Sequence, residues 1–239
     1  MGRVFLVRHA QASFLEQVYD KLSSTGEMQA RLLGQFWSRH KVVFDRLCTG
    51  PRVRHRETAK IVRQVYAQHG LSCPEPVVMG EFDEFQGEAV LDKALPRLVE
   101  TNPKIRELHE ALRCSSAPSE QRKNFQKLFE AVITMWVKGE LIADSVESWE
   151  QFGARVNCGL TGFLSAGTGN ESLAIFTSGG PVALSVQRAL HLPRQDTLNV
   201  AWMARNCSYS EFLFSGERFT LSTFNSFPHL DDPGLLTYR

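Results

Sequence analysis

No stretch of this chain is apolar for long enough to cross a bilayer as a helix. The N-terminus carries one Arg and then only the short run Val4-Phe5-Leu6-Val7, too brief for the apolar core of a secretory signal. Gly2 is followed at position 6 by Leu, where a myristoylation signal needs Ser or Thr. Net charge is nearly absent as well. Lys and Arg number 27 against 26 Asp and Glu, a formal +1, so no broad field draws in nucleic acid or an anionic membrane, and any anion site has to be local. Cysteine is sparse and odd in number: Cys48, Cys73, Cys114, Cys158 and Cys207 show no metal-ligand spacing. Such a set reads as reduced thiols in a cytosol-like compartment. Internal repeats and low-complexity segments are missing too. A soluble cytoplasmic protein without nucleic-acid or membrane partners is the expectation, and nothing in the sequence sets an oligomeric state.

What is present suits a sizeable core: 43% of the 239 residues are hydrophobic and 22% charged. That length allows one large α/β domain, or such a domain with an insertion. The organising stretch is Val4-Phe5-Leu6-Val7-Arg8-His9-Ala10. Its apolar run reads as a strand buried on both faces. A buried strand cannot carry Arg and His through a core, so the pair belongs at its C-terminal end, the edge where open α/β sheets bind ligands. There a neutral imidazole can act as a nucleophile, and a guanidinium beside it can hold a phosphate by two parallel hydrogen bonds. Taken alone, the two residues fit equally well a strand that ends in solvated polar side chains.

A polar loop with scattered aromatics follows over 11–24. Ser23, Ser24 and Thr25 offer N-caps to a helix through Trp37, with Met28, Leu32, Leu33 and Phe36 on its apolar face. Val42 to Cys48 reads as a second strand, broken by Thr49-Gly50-Pro51, and a basic helix runs from Val53 to Tyr66. This alternation supports a parallel sheet. Val77-Val78-Met79 is a third short strand, and the acidic stretch Glu81-Phe82-Asp83-Glu84-Phe85 follows it. From about Ala89 onward the pattern is helical, with amphipathic helices over 94–112 and 121–137 and a loop at 114–119. A further helix over 148–164 carries Trp149, Phe152, Val156, Leu160 and Phe163 at core spacing. Leu173 to Thr177 is a buried strand, followed by Ser178-Gly179-Gly180-Pro181 and a helix from Val182 to Leu190. Two strands around Ser215-Gly216-Glu217, over 208–214 and 218–224, make a hairpin that reads as antiparallel at a sheet edge. The tail beyond Asn225 reads as irregular.

Four βα connections thus lead one histidine, several guanidiniums (Arg8, Arg52, Arg54, Arg56), several carboxylates (Glu81, Asp83, Glu84) and a glycine turn at Ser178 toward one crevice. A nucleophilic histidine attacking a phosphoryl group needs cations on the non-bridging oxygens, a proton donor for the leaving alkoxide, and a neutral ring held in one tautomer. Helix N–H groups behind the glycine turn suit an anion, though a plain glycine turn is the simpler reading of that segment alone.

The sequence is similar to those of the histidine phosphatase superfamily, the phosphoglycerate mutase-like fold. The family's Arg-His-Gly signature corresponds to Arg8-His9-Ala10, with Ala in place of Gly. Its Leu, Ser/Thr, Gly and Gln-Ala positions correspond to Leu22-Ser23, Gly26 and Gln29-Ala30. Thr58-Ala59 places the second family arginine at Arg54. The family acid corresponds to Glu84 in Phe82-Asp83-Glu84, with Glu81 in Met79-Gly80-Glu81 as the competing position and Glu88 nearby. Asn206 to Glu211 and Asn225 to Leu230 resemble the family's ending. The resemblance implies a three-layer αβα sandwich with a mostly parallel sheet, a C-terminal antiparallel hairpin, and a single domain over 1–239. The helical segment 89–146 would then be an insertion capping the crevice. It further implies phosphoryl transfer to His9, with Arg8, Arg54 and Ser178 binding the phosphate, Glu84 as acid, no metal or cofactor, and a small phosphorylated substrate. Hydrolysis is expected over mutase chemistry, because nothing in the insertion resembles the mutases' substrate segments. One departure matters. Where the family has a second histidine, in a Ser-His-Gly turn, this chain has Ser178. Three readings follow: the site works with Ser178 and the helix N-terminus; another histidine (His55, His191 or His229) reaches in; or catalysis has decayed and the pocket only binds phosphorylated ligands or protein partners.

Overall fold

A computed structural model of the chain describes residues 1–13 and 20–238. The expected loop over 11–24 therefore lies partly outside the described residues, at 14–19. Among the described residues six strands form one sheet: β1 (Gly2–Arg8), β2 (Arg46–Thr49), β3 (Val77–Val78), β4 (Ser172–Thr177), β5 (Tyr209–Ser215) and β6 (Arg218–Ser226), in the order β3-β2-β4-β1-β5-β6. The first four in that order run parallel. β5 and β6 are antiparallel additions beyond β1. The helices are α1 (Ser24–Arg39), α2 (Val53–Gln68), α3 (Gly87–Thr101), α4 (Pro103–Cys114), α5 (Pro118–Lys138), α6 (Trp149–Ser165), α7 (Gly179–Leu190) and α8 (Arg194–Met203). None of the described helices is long and apolar enough to cross a membrane.

The chain divides into two compact units, Met1–Glu84 with Arg155–Arg239, and Phe85–Ala154. In the first, β1 supplies side chains to both faces, as the two-residue period of a strand requires. Phe5 and Val7 enter a cluster with Trp37 of α1 and Val62 and Tyr66 of α2. Val4 and Leu6 enter another with Leu160 and Phe163 of α6 and Val182 and Val186 of α7. Helices therefore cover the sheet on both sides. The first cluster is aromatic at its centre, Phe5 meeting Trp37, Phe44 and Tyr209 edge-on at 5.7–5.8 Å between rings. The second unit is helical, and its rings gather Phe85, Trp136, Trp149 and Phe152.

Several motif residues turn out to secure Gln11, shortly after β1. Ser23 caps α1 by accepting the Gly26 N–H at 3.0 Å, and donates its own N–H to Gln11 O at 2.9 Å. Gly26 has to be glycine, because a Cβ there would lie 2.1 Å from Gln11 O. The fully buried Gln29 accepts the Gln11 N–H at 2.9 Å and donates to Leu235 O and Thr237 Oγ1.

Some elements differ from the sequence expectation. Val42 to Asp45 is not strand; Phe44 is buried all the same, packing its ring on Trp37. The helix expected over 94–112 is two helices, divided where Asn102 ends α3 and caps α4 and Pro103 starts the new helix without needing its missing N–H. Helix α8 is not anticipated at all.

Candidate active site

The parallel register of β1 and β4 pairs Arg8 with Thr177, so His9 and Ser178 leave the sheet side by side. This is the C-terminal edge, beside the point where the strand order doubles back. The His9 N–H donates to Thr177 O at 2.8 Å. Asn206 donates to His9 O at 3.2 Å, and the Cys207 N–H reaches the carbonyls of Arg8 and His9. The ring is fixed as well. Its Nδ1 lies 2.7 Å from Ala10 O, and a carbonyl can only accept, so Nδ1 carries the proton. Nε2 is left with its lone pair, which accepts from Arg54 Nε at 3.2 Å. Burial holds the His9 pKa well below the ordinary imidazole value; Arg54, Arg8 and His55 push the same way, against the Ala10 carbonyl. The geometry thus presents a neutral imidazole with a basic nitrogen facing a cation.

Helix α2 delivers that cation. The buried Arg54 also pairs with Asp20 through Nη1 at 2.8 Å, while the second Asp20 oxygen accepts the Val53 N–H at 2.7 Å. One turn on, Thr58 Oγ1 donates to Arg54 O at 2.7 Å and accepts the Ala10 N–H at 3.1 Å, tying α2 to the segment that orients His9. Arg52 turns to Asp83 instead, at 2.5 Å, and Arg56 faces solvent. Of the three arginines at the start of α2, Arg54 is the one that donates to the histidine among the described residues.

Arg8 donates through Nη1 to Ala204 O, and its Nε lies 3.9 Å from where a Cβ on Gly179 would stand, so the guanidinium flanks the start of α7. The first-turn N–H groups of that helix lack intrahelical acceptors. Glu84 Oε2 accepts one of them, from Gly180, at 3.1 Å. Glu81 goes elsewhere, its Cβ side packing on Gly159 of α6. The loop that carries both acids is gripped by Arg155, whose Nη1 donates to the carbonyls of Gly80, Glu81 and Asp83 at 3.2, 2.9 and 3.2 Å.

Ser178 is buried at the N-cap of α7, yet its hydroxyl caps nothing. It lies 2.6 Å from Nε2 of His55, whose ring centroid is 5.6 Å from that of His9. His55 is fully buried, and burial, Arg54 and Arg52 hold its pKa well below the ordinary value, the nearby Gly50 backbone pulling the other way. The two other histidines considered as replacements go elsewhere: His191 is exposed at the end of α7, and His229 packs against Phe36 and Tyr209.

The structure therefore brings together His9, Arg8, Arg54, Glu84 and Ser178 around the ends of β1 and β4. Sequence reasoning missed Asp20 and Arg155. No motif or periodicity marks either, and their partners lie more than thirty and more than seventy positions away in the chain. Among the described residues no three His, Cys, Asp or Glu side chains converge as metal ligands would.

A family model described as the histidine phosphatase superfamily, branch 1, matches residues 4–86 and 87–226. Among solved structures, the fold is similar to that of an alpha-ribazole phosphatase from Shigella flexneri, at 17% identity and a TM-score of 0.62, covering 94% of this chain and 96% of that one. It is likewise similar to a phosphoserine phosphatase from Entamoeba histolytica in complex with 3-phosphoglyceric acid (16%, TM-score 0.63, 96% and 100% covered). A third is a phosphoglycerate mutase from Bacillus anthracis (15%, TM-score 0.59, 95% and 94% covered). No curated protein matches the chain by sequence.

Proposed function

The chain belongs to the histidine phosphatase superfamily, branch 1, and we propose that within it this protein is a phosphomonoester hydrolase working through a phosphohistidine on His9. The observation that carries the reading is the bond from His9 Nδ1 to Ala10 O, which leaves Nε2 as a lone-pair donor beside Arg54. In the first step the Nε2 lone pair forms a bond to phosphorus, and the ester P–O bond breaks, its electron pair leaving with the oxygen. Glu84, carrying a proton, donates it to that oxygen, so the leaving group departs as an alcohol and Glu84 becomes a carboxylate. Arg8, Arg54, the Ser178 hydroxyl and the α7 amides take the negative charge on the non-bridging oxygens. In the second step Glu84 accepts a proton from water as the water oxygen bonds to phosphorus. The N–P bond breaks, His9 recovers its electron pair and inorganic phosphate leaves.

No step needs a metal or cofactor. The substrate class this reading supports is a small phosphorylated molecule, and the free thiols suit a reducing, cytosol-like compartment. The helical unit is read as an insertion within a single phosphatase domain. Hydrolysis of an aryl phosphate ester by the protein and by His9→Ala tests the proposal. Activity lost in the variant supports the phosphohistidine route. Activity that persists in His9→Ala, or a wild type no better than buffer with a panel of phosphate esters, rejects it in favour of a phosphate-binding module.

A further inference from the structure

His55 is a buried ionisable side chain at the site to which the mechanism above gives no task. It follows Arg54 on α2, is fully buried, and points Nε2 at Ser178 Oγ over 2.6 Å. The approach is built in. A Cβ on Gly50 would stand 2.3 Å from His55 Nδ1 and 2.5 Å from Phe82 O, so only glycine at that position admits the ring. Ser178 is placed unusually as well. A serine at a helix N-cap ordinarily accepts an N–H from the first turn, and Ser178 does not, its hydroxyl being turned to the imidazole.

A hydroxyl has one proton and two lone pairs. If the ring donates to it, the hydroxyl proton is free for a third group; if the ring accepts, that proton is used up. His55 Nδ1 faces the Gly50 backbone without a hydrogen bond of ordinary geometry, so the ring proton can sit on Nε2, where it meets Ser178. A hydroxyl that accepts one hydrogen bond also becomes a better donor of the next. Resting on the phosphatase reading, we propose that His55 is a positioning residue: its Nε2–H holds Ser178 Oγ so that the serine proton is directed at a phosphoryl oxygen on His9. The pair would then serve at the α7 N-terminus as one composite donor, in which the histidine works from α2 through the serine. The charged and titratable groups facing His55 are Arg54 and Arg52 from its own helix start and His9 from the end of β1.

The test combines kinetics with the unaltered protein. With wild-type activity first shown to depend on His9, Ser178→Ala and His55→Ala should each lower kcat on the order of a hundredfold with KM little changed. The double variant should be no worse than either single one, because the two side chains act in series. Moving the imidazole, in His55→Ala combined with Ser178→His, should recover at least about tenfold over His55→Ala alone. A His55→Ala enzyme within threefold of wild type, or a double variant that multiplies the single losses, overturns the proposal. Because a buried-histidine variant can fail to fold, 15N-histidine NMR of the wild type with inorganic phosphate gives a second readout. The expected result is a neutral His55 ring protonated on Nε2, whose Nε2 signal moves on phosphate binding and no longer moves in Ser178→Ala. A ring protonated on Nδ1, or one indifferent to phosphate, overturns the proposal even where hydrolysis through His9 stands. Absence of phosphate binding overturns both readings.

Discussion

Asp20 ties Arg54 to the start of its own helix: one carboxylate oxygen lies 2.8 Å from Arg54 Nη1, and the other accepts the Val53 N–H at 2.7 Å. The guanidinium that faces His9 is therefore aimed by an acid from a distant loop. The same acid supplies the side-chain acceptor that the N-cap residue of α2, Arg52, does not.

Asp20→Ala should release both bonds. Loss of a cap-type hydrogen bond costs about 1 kcal/mol, which in a chain of this size lowers Tm by roughly 2–4 °C. Misaiming Arg54 should lower kcat/KM for an aryl phosphate by about ten- to a hundredfold. Asp20→Asn, which still accepts from Val53, should recover most of the thermal loss and little of the activity. Calorimetry beside steady-state kinetics separates the two effects.

Glu84→Gln removes the proton that the leaving oxygen needs. Alkyl phosphates, whose alkoxides are strong bases, should lose about 10²- to 10⁴-fold in kcat. An aryl ester with a nitrophenolate leaving group should lose far less in its first step. Equal losses on both substrates would argue against Glu84 as the acid. Glu81→Gln, altering a side chain that packs on α6, should leave both rates within about threefold.

Arg155 holds three carbonyls of the loop that ends in Glu84. Arg155→Met keeps the apolar stem and abolishes those bonds. The variant should show the Glu84→Gln pattern in weaker form, alkyl esters affected more than aryl esters, by about tenfold. A uniform fall across leaving groups would mean that the loop acts on binding instead.

Acid should destabilise the fold through its buried imidazoles. Burial pulls the pKa of His229 down from 6.5 to about 4, against the opposing pull of the Cys207 backbone. Between those pH values the unfolded chain binds a proton that the folded one refuses. Stability therefore falls as pH drops through that window, by up to about 1.4 kcal/mol per pH unit from this residue. His9 and His55 are depressed too and act in the same direction. Urea midpoints should drop from pH 7 to pH 5, and His229→Phe, set among Phe36 and Tyr209, should flatten the slope. An unchanged slope would place the acid sensitivity elsewhere.

The strand-end placement of Arg8 and His9 is legible in the sequence because the apolar run before them leaves a polar pair only one place to go. The same logic locates Arg54, Glu84 and Ser178 after strands that end on one edge. It fails where burial does not require regular structure: Phe44 is as apolar as a strand residue, and fills the core from a coil. It fails again where period outweighs punctuation, since the apolar repeat over 94–112 runs across an Asn102-Pro103 signal that splits the helix. Helix α8 buries only Thr197, Leu198 and Ala201, too little to set a stripe. Asp20 and Arg155 act on residues far along the chain through bonds that no local pattern encodes. His55 is one of three candidate histidines in the sequence, and what separates it from the others is the clearance over Gly50, a property of backbone approach.

The pairing of β1 has a consequence for how the protein is made. Its neighbours are β4 and β5, so Arg3 meets Ser172 and Gly2 meets Phe214. On a ribosome, this apolar strand emerges well before either of its partners. Until some 170 residues have followed, Val4 to Val7 present two open edges and two bare apolar faces. Contacts this distant in sequence make folding slow and leave an aggregation-prone strand waiting. Nascent chains halted before β4 should therefore be clients for chaperones, and His9, whose N–H bonds to Thr177 of β4, acquires its fixed position only late in synthesis.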